Sequence, residues 1–421
     1  IYVREGANGA NLITNGDLEH NGNVVGDFMV DTYALREVER ALKRAEDSNV
    51  RVSFLLSPHY FPAYLYDLYP EMKLPNGFFI LYDINHQKAR EAIELYLKAV
   101  IPVITKYKSL GDICLTNEPV YTGKVEPTAA VWREYLYYKY DGDIAALNRA
   151  MKTSFNSFDE IPISQTADNS GEANKAVEWE TQEDVIDENS DIKFRQSRFA
   201  VEWNEFVNQN FYEFHQWMAD IVHEMAPNVP VHAKVMAHDS EVKLEDSDGT
   251  DYELFGQFSQ IHGNDGWDIF DSAKSRKTVG PARVTYHNKS REYNQQKSTK
   301  NMPVFNTEDH IMADGEKYYG AEIAEHIRAD LWQGAIHGRV GSVIWALDEA
   351  ESGMLSGLIH ARPDCLRTVG YTNYDLNRLA YEVTAFQNTV PTVGILRSKM
   401  SKTYTSNESM NAAHSAVLFA G

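Results

Sequence analysis

The chain has 421 residues and a formal charge of −21, from 61 acidic against 40 basic side chains, a balance that disfavours nucleic acid and anionic membrane surfaces as partners. Two cysteines, Cys114 and Cys365, are too few for a disulfide framework or a four-cysteine zinc site. No apolar run approaches the ~18 residues that span a bilayer, so no membrane helix is expected.

The N-terminal thirty residues give two weak signals. Residues 1–4 read as a short strand, and 11–19 read as a loop. The glycine pairs Gly6/Gly9 and Gly22/Gly26 do not sit between a strand and a helix, so no phosphate cradle is expected. The compartment stays open, because a start at Ile1 is compatible with a removed leader.

From residue 31 a regular alternation begins. Thr32 can cap a helix with Leu35, Val38, Ala41 and Leu42 on one face, ending near Asn49; a buried strand follows over 52–57. A second helix spans 87–107, and the strand at 112–116 stops at Asn117-Glu118-Pro119. Residues 122–193 break the rhythm, being polar and acidic with short helical pieces at 129–138 and 143–152, and read as an elaborated loop. An amphipathic helix over 199–225 restores the pattern, and strands are expected at 229–235, 267–270, 303–306 and 341–346.

Alternation of this kind predicts parallel βα units and an α/β fold, here a (β/α)₈ TIM barrel. Six strands are readable from Val52 onward where a barrel needs eight. Residues 1–4 are the candidate for strand two, and strand one is expected to be absent. The organisation that follows is an N-terminal segment 1–30, a catalytic barrel 31–390 carrying the insertion 122–193, and, over 391–421, the start of a second α/β domain with a strand at 393–396 and a helix at 407–419.

Two carboxylates stand out because each ends a predicted strand, where a parallel barrel exposes its reactive face: Glu118 on the fourth strand and Glu308 on the seventh. With 61 acidic residues most are solvated, and single glutamates end strands by chance. A pair at these two strand ends is what cleavage of a glycosidic bond needs. One carboxyl protonates the departing oxygen while the other captures the oxocarbenium-like centre.

Asn117-Glu118-Pro119 ending strand four, with Glu308 ending strand seven, resembles the retaining (β/α)₈ glycoside hydrolases of clan A. Within that clan the chain resembles a divergent relative of family 42, the β-galactosidases. The matching segments are 57–65 with Tyr69-Pro70-Glu71, then 140–150, 153–155 with 158–161, and 393–396. Three features depart from the family: the first strand is not recognisable, the zinc-binding cysteines of some members are missing, and Glu308 sits in Asn306-Thr307-Glu308-Asp309-His310.

The resemblance implies Glu118 as general acid and base, Glu308 as nucleophile and Asn117 as a donor to the sugar 2-hydroxyl. It also implies an oligo- or polysaccharide substrate, a trimer, and a reaction that needs no cofactor. Trp345, ending strand eight, is the candidate aromatic floor of the sugar subsite, against ordinary core packing. His59 and Tyr60 after strand three are candidate hydroxyl binders, against a histidine that caps the loop. Tyr286, after the sixth strand, is a candidate partner of the nucleophile.

His232, Lys234 and His238 cluster near strand five. Their spacing lacks the His-x-His or His-Glu-x-x-His pattern of metal sites, and Lys234 would repel a cation, so His232 is expected to contact substrate or to be structural. Other readings at this level are a clan A hydrolase for another sugar (β-mannosidase, β-glucosidase or algal galactan hydrolase), a catalytically silent carbohydrate-binding barrel, and a metal-dependent barrel hydrolase.

Overall fold

In the computed structural model the described residues are 2–3, 28–30, 32–56, 58, 61–62, 64–74, 80–121, 123, 126–163, 198–236, 249–266, 286–311, 322–345, 359, 362–399 and 408–420. Among them the strands are β1 (Tyr2–Val3), β2 (Phe28–Met29), β3 (Val52–Leu55), β4 (Leu110–Asn117), β5 (Val231–Val235), β6 (His262–Asn264), β7 (Val304–Asp309) and β8 (Arg339–Ile344). Strands β3 to β8 are hydrogen-bonded in sequence order as a six-stranded sheet, and its registered pairs are parallel. Sequential parallel neighbours joined by helices are the βα pattern read from the sequence.

Contacts divide the chain into two units. The first holds Ile1–His232, Val242–Phe258 and Lys399–Ser406; the second holds Ala233–Glu241, Ser259–Ser398 and Asn407–Gly421.

In the first unit the predicted helices form with small boundary changes. Helix Thr32–Asp47 includes Thr32 within its first turn rather than as its cap. It ends before Asn49, whose positive φ of 54° suits an asparagine at a helix C-terminus. Helix Gln87–Ile104 is capped by His86, whose side chain accepts from Lys88 N at 3.3 Å, and buries Ala89, Ala92, Ile93, Ala99 and Val100. Helix Ile144–Met151 is capped by Asp143, which accepts from Ala146 N at 3.0 Å.

Helix Arg198–Met225 is the spine of this unit. It buries Phe199, Phe206, Phe211, Phe214, Met218 and Val222, spaced three to seven residues apart, which keeps them on one broad side of the helix. Each such side chain contributes about 1.5–3 kcal/mol by leaving water. Trp132, on helix Glu126–Lys139, packs edge-on against Phe199 and Trp203 with ring centroids 5.6 and 5.2 Å apart, and donates its indole N–H to Pro162 O. Part of the expected insertion is therefore helical and packed onto the spine, while 164–193 lie outside the described residues.

Of the expected strand 1–4, the described residues Tyr2 and Val3 do not join the parallel sheet. Tyr2 and Val3 pair antiparallel with Met29 and Phe28 in a separate two-stranded sheet.

In the second unit, helices Glu322–Ile336 and Pro363–Arg378 meet over Ile323, Ile327, Leu331, Cys365 and Val369, with Ile311 and Ile359. The expected sixth strand, 267–270, lies outside the described residues, and the place between β5 and β7 is taken by His262–Asn264. Three residues of His-Gly-Asn carry no apolar pattern, which is why composition pointed to the more apolar segment after them. The expected strand at 393–396 is not a strand; it has no ladder partner among the described residues, and Leu396 is 89% exposed. Helix Glu408–Ala420 forms as expected and is tied within this unit by Asn294 Nδ2 and His414 Nε2 at 3.1 Å.

Candidate active-site residues

In the first unit, Glu118 follows β4 directly, and both it and Asn117 are half-buried. Glu118 has φ of +40°, in the left-handed region where a side chain other than glycine costs about 1–2 kcal/mol. The proline after it restricts the backbone further. Strain of this kind persists only where surroundings impose it, and it concentrates at functional positions.

Those surroundings are visible on both sides of Glu118. Before it, Thr116 Oγ1 lies 2.7 Å from His215 Nε2, and His215 Nδ1 lies 2.8 Å from Phe211 O. A carbonyl can only accept, so Nδ1 carries the proton and the neutral Nε2 accepts from the threonine hydroxyl. Burial, here among Phe211, Phe214, Phe255 and Phe258, pushes the His215 imidazole down to about 3. After it, the buried Tyr121 donates its hydroxyl to Asp83 Oδ1 at 3.1 Å, and Asp83 also accepts from Thr128 N and Asn85 N.

His232 is wholly buried near the start of β5. Its Nε2 lies 2.9 Å from Asp112 Oδ1, which also accepts from Ser53 Oγ at 2.6 Å. Burial opposes its charge, but Cys114 and Asp112 outweigh that and raise the imidazole to about 10. Of the two alternatives read from the sequence, substrate contact or a structural role, this burial near the start of β5 fits the structural one, since a parallel sheet presents its reactive face at the opposite, C-terminal end of its strands.

In the second unit, Glu308 is the penultimate residue of β7, not a residue beyond it, and its side chain is 15% exposed. Its Oε2 is ion-paired with Lys234 Nζ from β5, and its Oε1 lies 3.2 Å from His310 Nε2. Its backbone N donates to Asn306 Oδ1 at 3.2 Å, and Asn306 Nδ2 is fixed by Gly266 O at 2.6 Å and Tyr293 OH at 2.9 Å. Trp345 directly follows β8, is half-buried, and places its ring 6.1 Å from that of His310 at 32°. Its backbone N donates to Asp309 O at 3.1 Å.

Strand alternation sends Asp309 to the other side of β7 from Glu308. There it accepts from Lys289 Nζ at 2.6 Å and Arg339 Nη1 at 2.5 Å, and Lys289 also reaches Asp330 at 2.9 Å, all four side chains being buried. Burial pushes the Asp309 carboxyl up, but Lys289 and Arg339 prevail and hold it below its usual range.

His59 and Tyr60 lie outside the described residues. Tyr286 opens helix Tyr286–Thr299, and its side chain is outside them too. Among the described residues, no group of three or more His, Cys, Asp or Glu side chains is arranged to hold a metal, and no helix is long and apolar enough to cross a membrane.

Sequence reasoning singled out Glu308 and Trp345 but not the partners of Glu308. In the sequence Lys234 stands out only as a group that repels metals, and His310 and Asp309 only as part of a motif. The signal was there: Glu308-Asp309-His310 puts three ionisable groups in succession at the end of a buried strand, where each needs a partner.

The chain matches the family model of glycoside hydrolase family 42, described as β-galactosidase, over residues 30–306. No curated protein matches it. Among solved structures, an apo exo-carrageenase of family 42 from Bacteroides ovatus is similar at a TM-score of 0.71 and 21% identity, over 95% of this chain and 52% of that one. A β-galactosidase from the psychrophilic Marinomonas ef1 is similar at 0.62 and 14%, over 85% and 55%. One from Bacillus circulans sp. alkalophilus is similar at 0.63 and 14%, over 90% and 56%. The chain thus spans about half the length of these proteins, and at such identities the likeness is one of fold. With the family model covering more than half of its residues, the chain belongs to glycoside hydrolase family 42.

Proposed function

We propose that this chain carries the active site of a retaining β-glycosidase of β-galactosidase type, with Glu118 as general acid and base and Glu308 as nucleophile. The observation that carries the reading is that both glutamates stand at the C-terminal ends of parallel strands, β4 and β7, in a chain of this family. The barrel of this reading is a (β/α)₈ barrel over 31–390 with the insertion 122–193, followed by the start of another domain over 391–421.

A carboxylate oxygen of Glu308 attacks the anomeric carbon. The bond to the leaving oxygen breaks, and that oxygen takes the proton of the Glu118 carboxyl. Glu118 then accepts a proton from water, whose oxygen attacks the anomeric carbon. The ester bond breaks with its electron pair returning to Glu308, and the sugar leaves with its β configuration kept. Asn117 donates to the 2-hydroxyl and Trp345 supplies the aromatic floor of the subsite. No step requires a cofactor.

Replacement of Glu308 or Glu118 by Ala tests this with nitrophenyl β-glycosides, product stereochemistry being followed by NMR. Turnover is expected to vanish in Glu308→Ala while folding is kept, and full activity there overturns the reading. A second substrate, carrageenan, is favoured by the family 42 exo-carrageenase that superposes over 95% of the chain. Release of product from carrageenan oligosaccharides, with nitrophenyl galactoside left intact, decides for it.

A further inference from the structure

We infer that Lys234 is an electrostatic positioning residue for the nucleophile: it holds Glu308 ionised before attack and speeds its departure from the glycosyl-enzyme ester. This rests on the reading of Glu308 as nucleophile.

Lys234 projects from β5 with only 4% of its surface exposed, and its ammonium is paired with Glu308 Oε2. A buried ammonium is costly unless an anion answers it. The pairing therefore works in both directions, since whatever neutralises Glu308 removes a charge that answers Lys234. Protonation neutralises it, so an opposite charge in contact favours the ionised carboxylate. Ester formation neutralises it as well. The lysine thus opposes the covalent intermediate and favours the second displacement, in which water attacks the anomeric carbon, its proton goes to Glu118, and the ester electron pair returns to Glu308 as a carboxylate.

Both carboxylate oxygens have a partner, Lys234 at Oε2 and His310 at Oε1, yet an ionised carboxylate offers about four lone-pair directions, so attack does not require either contact to break. Among the described residues, the other buried ionisable groups on the elements packed around β7 include Asp265 after β6, Arg291 and Glu292 on helix Tyr286–Thr299, and the quartet Asp309, Lys289, Asp330 and Arg339, whose members answer one another. His262, at the start of β6, is bonded to Lys300 O. Among the described residues, Lys234 is thus the lysine that ion-pairs with the Glu308 carboxylate.

Lys234→Met and Lys234→Arg provide the test, with the pH profile of kcat/KM on a nitrophenyl β-glycoside as readout. In Lys234→Met the acid limb is expected to move up by about one pH unit or more. With a dinitrophenyl glycoside, a burst of phenol is expected before a slow steady state, as the ester accumulates. Lys234→Arg is expected to keep the acid limb near its original place, a rescue that a merely structural lysine would not require. An acid limb that stays put in folded Lys234→Met, or the absence of a burst, overturns the inference.

If Lys234→Met does not fold, ¹³C-carboxyl NMR of the intact protein gives the answer, with Glu308 assigned by its absence in Glu308→Gln. Titration of Glu308 below the usual glutamate value supports the inference, and titration at or above that value overturns it. The two ideas fail separately. Full turnover in Glu308→Ala sinks the nucleophile assignment, whereas loss of turnover there with an unmoved limb in Lys234→Met sinks only the role of the lysine.

Discussion

The Thr116 hydroxyl donates to His215 Nε2 across 2.7 Å, and through this bond the end of β4, two residues before Glu118, is tied to the long helix behind it. Because His215 is held neutral by burial, with its imidazole down at about 3, the bond depends on a proton balance that acid can upset.

Stability is expected to fall as pH drops through this window. The folded state resists a proton that the unfolded chain accepts near its ordinary histidine value of about 6.5. The contribution is fully present above that value and is lost progressively toward pH 3, at up to about 1.4 kcal/mol per pH unit. Denaturant titrations between these limits are expected to show a shallower pH dependence in His215→Phe. That variant also leaves the Thr116 hydroxyl without its acceptor, at a cost of roughly 1–3 kcal/mol. An unchanged pH slope would contradict the neutral, buried histidine.

The pair His232 and Asp112 behaves in the opposite sense. With the imidazole raised to about 10, its contribution is complete below about 6.5 and disappears as pH rises through 10. Thermal melts from pH 7 to 10.5 are expected to show the wild type losing stability more steeply than His232→Gln. KM for substrate is expected to stay within about twofold in the variant, as suits a group buried at the start of β5.

Asp309 answers Lys289 and Arg339, and its carboxyl lies below the usual range. Its stabilisation is therefore present above the unfolded carboxylate value of about 3.9 and is lost as pH falls through the lower folded value. Asp309→Asn removes a carboxylate shared by two buried cations that also pair with Asp330, and a loss on the order of 3 kcal/mol is expected. Chemical denaturation measures it. A loss below about 0.5 kcal/mol would show that the quartet does not hold β7 in place.

Glu118 sits at φ +40°, so relief of its backbone should be measurable apart from its chemistry. Glu118→Gly is expected to melt higher than Glu118→Ala, by about 1 kcal/mol of stability, although both lose the carboxyl. Equal melting temperatures would mean that the backbone relaxes once the side chain is gone.

Most of the helices were legible because their apolar residues repeat at helical spacing, as Phe199, Phe206, Phe211, Phe214 and Val222 do. Apolar strands were legible too, although β4 and β7 run one to three residues further than their apolar cores suggest. The strand β6 was not, since its hydrogen bonds to β5 and β7, rather than any side-chain pattern, make His262–Asn264 a strand. At 393–396 the reverse holds: an apolar run that looks like a strand finds no neighbour among the described residues to pair with.

What the sequence determined by itself was the βα order and the position of Glu118 and Glu308 at strand ends, because periodicity and strand-end position are local properties of the chain. Tertiary structure alone decided that Lys234 answers Glu308, that Lys289 and Arg339 answer Asp309, and that His232 is interior. These partners lie up to 120 residues apart in the chain, as His232 and Asp112 do. Burial, which makes an unpaired charge intolerable, exists only once the strands that carry them are side by side.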